Sequence, residues 1–202
     1  MIFDLGGVMV QINHTWEQAA DYARVCCSNL TDGTTALNAV PYFEAYQAGE
    51  LSEERYFENL GHFLGCTAEE ALLVHDGILR EEYPGVADFV QELMLAGIKL
   101  GCLSNTNAPH WKCLVETGPY PGIQALEIKM ASHLMGLSKP DPLIFRTFCD
   151  ATHIDAKQII FFDDHPTNVL VAKNCGWTAC QINPNIDTPP QMRSFLGELG
   201  VI

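Results

Sequence analysis

From residue 83 onward the chain alternates between two periodicities. Val86, Phe89, Val90, Leu93 and Met94 recur at the three- and four-residue spacing of a helix with one apolar face, and Gly97 ends it. Residues 98–103 then form a short apolar run that stops at Ser104, as a buried strand does. The alternation repeats with a helix over 108–116, a strand near 126–130 and a polar turn over 132–139. Asp141 and Pro142 read as an N-cap followed by proline at the first helical position, leading into Leu143, Ile144 and Phe148. A strand over 158–162, a helix over 166–174 and a strand over 177–182 complete the series. Strand and helix in regular turn predict an α/β fold, a parallel sheet with helices on both faces.

Residues 13–82 break this pattern, reading as helices without strand-like runs. Tyr56, Phe57, Leu60, Phe63 and Leu64 make an apolar stripe behind a possible cap at Ser52, and Thr67 with Glu70 has the form of a capping box. The chain therefore divides into a first core segment over 1–12, a helical insertion over 13–82 and a second core segment over 83–202. The strands of the core end in polar residues: Asp4, Ser104, and Asp163 with Asp164. Ligands of open α/β sheets bind outside such carboxyl ends, so three separate segments point at one crevice.

Composition narrows the partners. Apolar residues make up 48% and charged residues 18% of the chain, and no apolar run approaches the roughly 18 residues a membrane span needs. Eleven Lys and Arg against 25 Asp and Glu give a formal net charge of -14, which repels nucleic-acid backbones. None of the eight cysteines falls in a C-x-x-C pair, which suits reduced thiols acting as small hydrophobes. With Met-Ile-Phe running straight into a polar motif and no basic segment ahead of an apolar one, a cytoplasmic protein is expected.

Taken singly, the chemistry-bearing residues stay ambiguous. Asp4, before Leu5-Gly6-Gly7, serves a sharp turn as well as it serves nucleophilic attack. Asp163 and Asp164 make either a solvated acidic turn or a site for a hard cation such as magnesium, which relieves the repulsion of adjacent carboxylates. Lys139 is either a solvated lysine or a point charge for phosphate, and Ser104 with Asn105 suits a turn or an oxyanion. Together, a carboxylate, a hydroxyl, an ammonium and a diacid at one sheet edge are the parts needed for phosphoryl transfer through an aspartyl phosphate.

In order and context, Phe3-Asp4-Leu5-Gly6-Gly7-Val8, Leu103-Ser104-Asn105, Ser138-Lys139-Pro140-Asp141 and Phe161-Phe162-Asp163-Asp164 with Asn168 resemble the four motifs of the haloacid dehalogenase superfamily. The resemblance covers essentially the whole chain and implies a Rossmann-like core, with the insertion as a small helical cap domain after the first strand. Gly49-Glu50-Leu51-Ser52 is similar to a cap turn of bacterial sugar-phosphate phosphatases, including those acting on glucose 1-phosphate. It further implies that Asp4 attacks phosphorus while Ser104 and Lys139 hold the phosphoryl oxygens, with Asn105 as a lesser substrate contact. Asp4, the Gly6 carbonyl and Asp164 would bind Mg2+, supported by Asp163 and by Asn168.

The sequence departs from the family pattern at Gly6, where most phosphatases of the family carry a second aspartate that protonates the leaving oxygen. Proton transfer of this kind is typically worth about 10^2 to 10^4 in rate, so its loss weakens catalysis without excluding it. A 2-haloacid dehalogenase also lacks this aspartate, but it has no use for a metal, and the diacid Asp163-Asp164 favours a phosphatase. A phosphomutase would be harmed twice by the missing acid, and a non-catalytic binding protein of the same fold has Gly6 as its sole support. The expectation is a magnesium-dependent phosphatase of a small phosphorylated metabolite, a sugar phosphate among the candidates, with no nucleic-acid or membrane partner. Trp16, Phe43, Tyr46 and Glu50 either face a sugar or belong to the cap core. His14, at the entry to the insertion, is either a replacement acid or a solvated linker residue.

Overall fold

The computed structural model describes residues 1–30 and 34–202. Its strands are β1 (Ile2–Phe3), β2 (Val10–Ile12), β3 (Leu79–Glu82), β4 (Gly101–Ser104), β5 (Ile128–Ala131), β6 (Ile160–Asp163) and β7 (Thr178–Gln181). Five of them form one parallel sheet in the order β5-β4-β1-β6-β7, with Ile2 in register with Gly101 on one side and Phe161 on the other. Successive side chains of a strand face opposite ways, and each pair here splits accordingly. Phe3, Cys102 and Phe162 enter one apolar cluster, whereas Ile2, Leu103 and Phe161 enter the other.

The helices are α1 (Trp16–Ala23), α2 (Phe43–Gln47), α3 (Glu53–Leu64), α4 (Ala68–Asp76), α5 (Val86–Leu95), α6 (Ala108–Lys112), α7 (Pro121–Gln124), α8 (Ser132–Met135), α9 (Pro142–Thr152), α10 (Pro166–Asn174) and α11 (Thr188–Glu198). α5 and α11 cover the Phe3 face of the sheet, through Phe89, Leu93 and Leu196. On the Ile2 face, α9 and α10 pack Phe145, Phe148 and Val169 around Trp177. The predicted α/β architecture with helices on both faces is what the chain adopts.

α1 to α4 bury a third cluster of their own around Trp16, Tyr56, Leu60 and Leu64. Thr67 and Glu70 form both bonds of the capping box ahead of α4, and Asp141 caps α9 by accepting from the Leu143 amide. Ser52 sits at the N-cap of α3 on extended backbone, without a side-chain cap bond. All eight cysteines are free thiols. Among the described residues no helix is long and apolar enough to cross a membrane.

Three expectations shift. The stretch 13–82 is not purely helical, because residues 79–82 form β3, antiparallel to β2. Leu79-Arg80-Glu81-Glu82 carries one apolar residue and no alternation, so its strand character comes from the partner strand. The run 98–103 narrows to β4 at 101–104, since Ile98 still bonds back to Leu93 at the end of α5 and the ladder to β1 begins at Gly101. The helix expected over 108–116 is α6 followed by a wider π-helical turn at Cys113–Thr117.

The helical unit meets the core through two buried imidazoles, His75 of α4 and His110 of α6, stacked with centroids 4.2 Å apart. His110 Nε2 donates to the His75 carbonyl at 2.9 Å. Burial, reinforced by His110, holds His75 well below the usual imidazole value, and burial brings His110 down to about 4. With folded-state pKa values below the unfolded 6.5, the stability of the neutral pair is complete above that pH and is lost as the pH falls through it. The melting temperature of His75→Phe should therefore fall less steeply than that of the wild type between pH 7 and pH 5, each histidine contributing up to about 1.4 kcal/mol per pH unit. Parallel melting curves across that range would show that the pair is not the acid-sensitive joint.

Candidate active site

Asp4 follows directly on β1, and its amide donates to the Phe162 carbonyl at 2.8 Å, extending the central ladder by one residue. The chain then turns tightly, with the Leu5 carbonyl accepting from the amides of Val8, Met9 and Val10, while the Leu5 amide donates to Asp4 Oδ1 at 2.8 Å. Gly7 has a left-handed φ of 72°, and a Cβ there would lie 2.6 Å from Asp164 Oδ2. Only glycine lets the first loop close onto the diacid. Gly6 is different: its φ is not left-handed, and a Cβ would meet Ile12 at an ordinary 3.4 Å.

Lys139 is fully buried, with Nζ 2.9 Å from Asp4 Oδ1 and 2.7 Å from Asp163 Oδ2, and it lies 5.3 Å above the Phe161 ring. Asn105, just past β4, fixes the lysine from behind: its Nδ2 donates to the Lys139 carbonyl at 2.7 Å and its Oδ1 accepts from the Lys139 amide at 2.8 Å. Asp163 is saturated, since it also accepts from Asn168 Nδ2 at 3.0 and 3.1 Å and from the His165 amide at 2.8 Å. Among the described residues Asp164 has no such side-chain partners, and it keeps part of its surface open. Ser104, buried at the tip of β4, turns into the same cleft. The structure thus brings together Asp4, Gly6, Ser104, Asn105, Lys139, Asp163, Asp164 and Asn168.

The electrostatics follow from having one ammonium among three carboxylates. Burial raises Asp4 to about 7, Lys139 pulls it down, and Asp163 and Asp164 push it further up. Asp164 is raised by burial and then by Asp163. Burial works against the charge of Lys139, but Asp163 and Asp4 outweigh it and hold its pKa above the ordinary value. Carboxylate oxygens of Asp4, Asp163 and Asp164 lie within 4.8 Å of one another, so the cluster holds more negative charge than Lys139 neutralises. An all-oxygen donor set with uncompensated negative charge suits a hard divalent cation such as magnesium. Because Asp163 is already saturated, the carboxylates left to take one are Asp4 and Asp164, and Gly6 lines the same cleft.

The cleft over these residues has a volume of about 440 Å³. The helical unit contributes Leu37, Phe43, Glu44 and Gln47 to its far wall, and the core adds Thr106, His110 and His165. Sequence reading singled out Phe43 alone among these, because nothing in periodicity or motif marks which helical residues overhang a distant sheet edge. Trp16 and Tyr46 are buried within the helical cluster, and Glu50 is exposed away from the cleft. His14 lines a second cleft with Asn13, Arg80 and Tyr83 instead of the one over Asp4.

Fold and site together define a parallel-sheet α/β protein with an acidic centre at the carboxyl edge of its sheet. The family model described as haloacid dehalogenase-like hydrolase matches residues 1–176, and the chain belongs to that family. It is 26% identical over 205 residues to a D-ribitol-5-phosphate phosphatase of Bacteroides thetaiotaomicron, covering 97% of each chain. It is 22% identical to a validoxylamine A 7'-phosphate phosphatase of Streptomyces hygroscopicus, over 87% of this chain and 81% of that one. A haloacid dehalogenase-family enzyme of Bacteroides thetaiotaomicron, solved as a magnesium complex, shares the fold with a TM-score of 0.79 at 22% identity, over 95% of this chain and 96% of that one.

Proposed function

We propose that this chain is a magnesium-dependent phosphatase that hydrolyses a small phosphorylated metabolite through an aspartyl phosphate on Asp4. The observation that carries the reading is the placement of Asp4 at the end of the central strand, within 2.9 Å of a buried lysine and beside a diacid that the lysine alone does not neutralise. Two relatives named as phosphatases, each aligned over most of its length, support the reaction class. Magnesium, when bound, supplies the positive charge that lets a phosphate dianion approach these carboxylates.

An oxygen of Asp4 attacks phosphorus, the bond from phosphorus to the ester oxygen breaks, and the departing oxygen takes a proton from solvent. Water then attacks the phosphorus of the aspartyl phosphate, releasing inorganic phosphate and the free carboxylate. Lys139 favours the ionised form of Asp4 against burial and, with the Ser104 hydroxyl, donates to the phosphoryl oxygens in both steps. Asn105 holds the lysine through its main chain. The helical unit acts as a cap whose overhanging residues face the organic part of the substrate. A dehalogenase remains the weaker reading, since halide departure has no use for the unneutralised carboxylates.

Asp164→Ala should weaken magnesium binding more than Asp163→Ala, because the oxygens of Asp164 are free whereas those of Asp163 are taken by Lys139, Asn168 and a backbone amide. A difference of at least about tenfold in Kd by calorimetry is expected, and equal affinities would move Asp163 into the ligand set.

A further inference from the structure

The charges lining the Asp4 cleft are unevenly distributed, and the imbalance constrains the organic part of the substrate. Lys139 is the buried cation of the cleft, and its ammonium is already shared between Asp4 and Asp163. His110 is locked neutral, with Nε2 donating to the His75 carbonyl and Nδ1 facing Asn107 Nδ2 at 3.3 Å. His165 stands at the diacid end, its amide tied to Asp163. Among the described residues no lysine or arginine lines the opposite wall, and the charged side chain there is the solvent-exposed Glu44 of α2.

α2 is fixed over the cleft. The Ser132 hydroxyl donates to the Gln47 carbonyl at 2.6 Å, and Gly49 passes so close to the core that a Cβ would lie 2.7 Å from the His133 carbonyl oxygen. Glu44 and Gln47, three residues apart, share one face of the helix and both reach the cleft lining, flanked by the apolar Leu37, Phe43 and Leu79. A carboxylate and an amide on an otherwise apolar wall accept from and donate to hydroxyl groups, or accept from an ammonium. A second anion would be set against Glu44 with no cation among the described residues of that wall to offset it.

We propose that Glu44 makes this cleft selective for phosphate monoesters whose organic part is a neutral polyol or carries an amine, and that it rejects those bearing a second anionic group. The inference rests on the phosphatase reading of the site. A matched pair tests it: glycerol 3-phosphate and 3-phosphoglycerate differ in having a hydroxymethyl or a carboxylate at the far end. The two are compared with magnesium present, as substrates by kcat/KM and as competitive inhibitors of p-nitrophenyl phosphate hydrolysis by Ki.

Wild type should favour glycerol 3-phosphate by about tenfold or more, Glu44→Gln should reduce that ratio several-fold, and Glu44→Lys should bring it to one or below. The ratio within each variant is the readout, so a uniform loss of activity does not mimic the effect. A wild-type ratio near one, or a ratio that stays put in Glu44→Lys, overturns the inference while leaving the phosphatase reading intact. If no phosphate ester is hydrolysed, the phosphatase reading fails; the same pair titrated calorimetrically into the magnesium-loaded protein then decides the charge selectivity by the same ratio of Kd values.

Discussion

Asp4→Asn should abolish phosphatase turnover, by on the order of a thousandfold or more in kcat, while leaving the fold in place. The amide keeps the shape of the carboxylate but cannot attack phosphorus, and Lys139 retains Asp163 at 2.7 Å as its partner. The same substitution should stabilise the metal-free protein. The wild-type carboxyl is raised to about 7 from 3.8, chiefly by burial, so its contribution to stability is complete below the lower value and is lost as the pH rises through the higher one. An uncharged amide escapes that loss. Asp4→Asn should therefore melt a few degrees above wild type at pH 8 without metal, with the gap closing toward pH 4 and reversing when magnesium is added. Activity within tenfold of wild type would remove Asp4 as nucleophile, and a metal-free variant that melts lower would show that the carboxylate is not the strained member of the cluster.

The second large effect is expected at Gly6. With no acid beside the leaving oxygen, departure leaves full negative charge there, so aryl and acyl phosphates should be hydrolysed much faster than alkyl phosphates. Gly6→Asp is sterically admissible: the backbone is not left-handed and the new Cβ meets Ile12 at 3.4 Å. It should raise alkyl phosphate turnover by about 10^2-fold while changing aryl phosphate turnover little, since proton donation matters most for poor leaving groups. His14 lies in a different cleft, so His14→Ala should leave the aryl-to-alkyl ratio unchanged. A collapse of alkyl turnover in His14→Ala would identify that imidazole as a replacement acid and contradict this assignment of Gly6.

Much of this arrangement is legible in the sequence because it is local. A strand-end aspartate followed by glycines, an apolar run closing on Ser104 and Asn105, and a diacid after Ile159 to Phe162 each announce a sheet edge, and the edge of a parallel sheet is one place. What sequence reading missed depends on contacts between distant segments. β3 is a strand because β2 pairs with it, and its own residues carry no alternation. The pair of hydrogen bonds between Asn105 and the Lys139 backbone joins residues 34 apart in sequence, so a residue read as a substrate contact is seen to hold the lysine. Gly7 read as turn chemistry, yet a side chain there would run into Asp164, from a segment distant in sequence. Glu44 and the His75–His110 stack carry no motif, since their positions depend on how the helical unit sits over the sheet.

The most direct test of the mechanism is to trap the covalent enzyme. Magnesium-loaded protein is mixed with an aryl phosphate, quenched in acid within the first turnover, and mapped by mass spectrometry. One phosphoryl group should appear on the peptide that carries Asp4, be absent from Asp4→Asn, and vanish when the quenched sample is warmed at neutral pH, as an acyl phosphate does. Steady turnover without any phosphorylated Asp4 peptide, or a phosphoryl group on another residue, would contradict nucleophilic attack by Asp4.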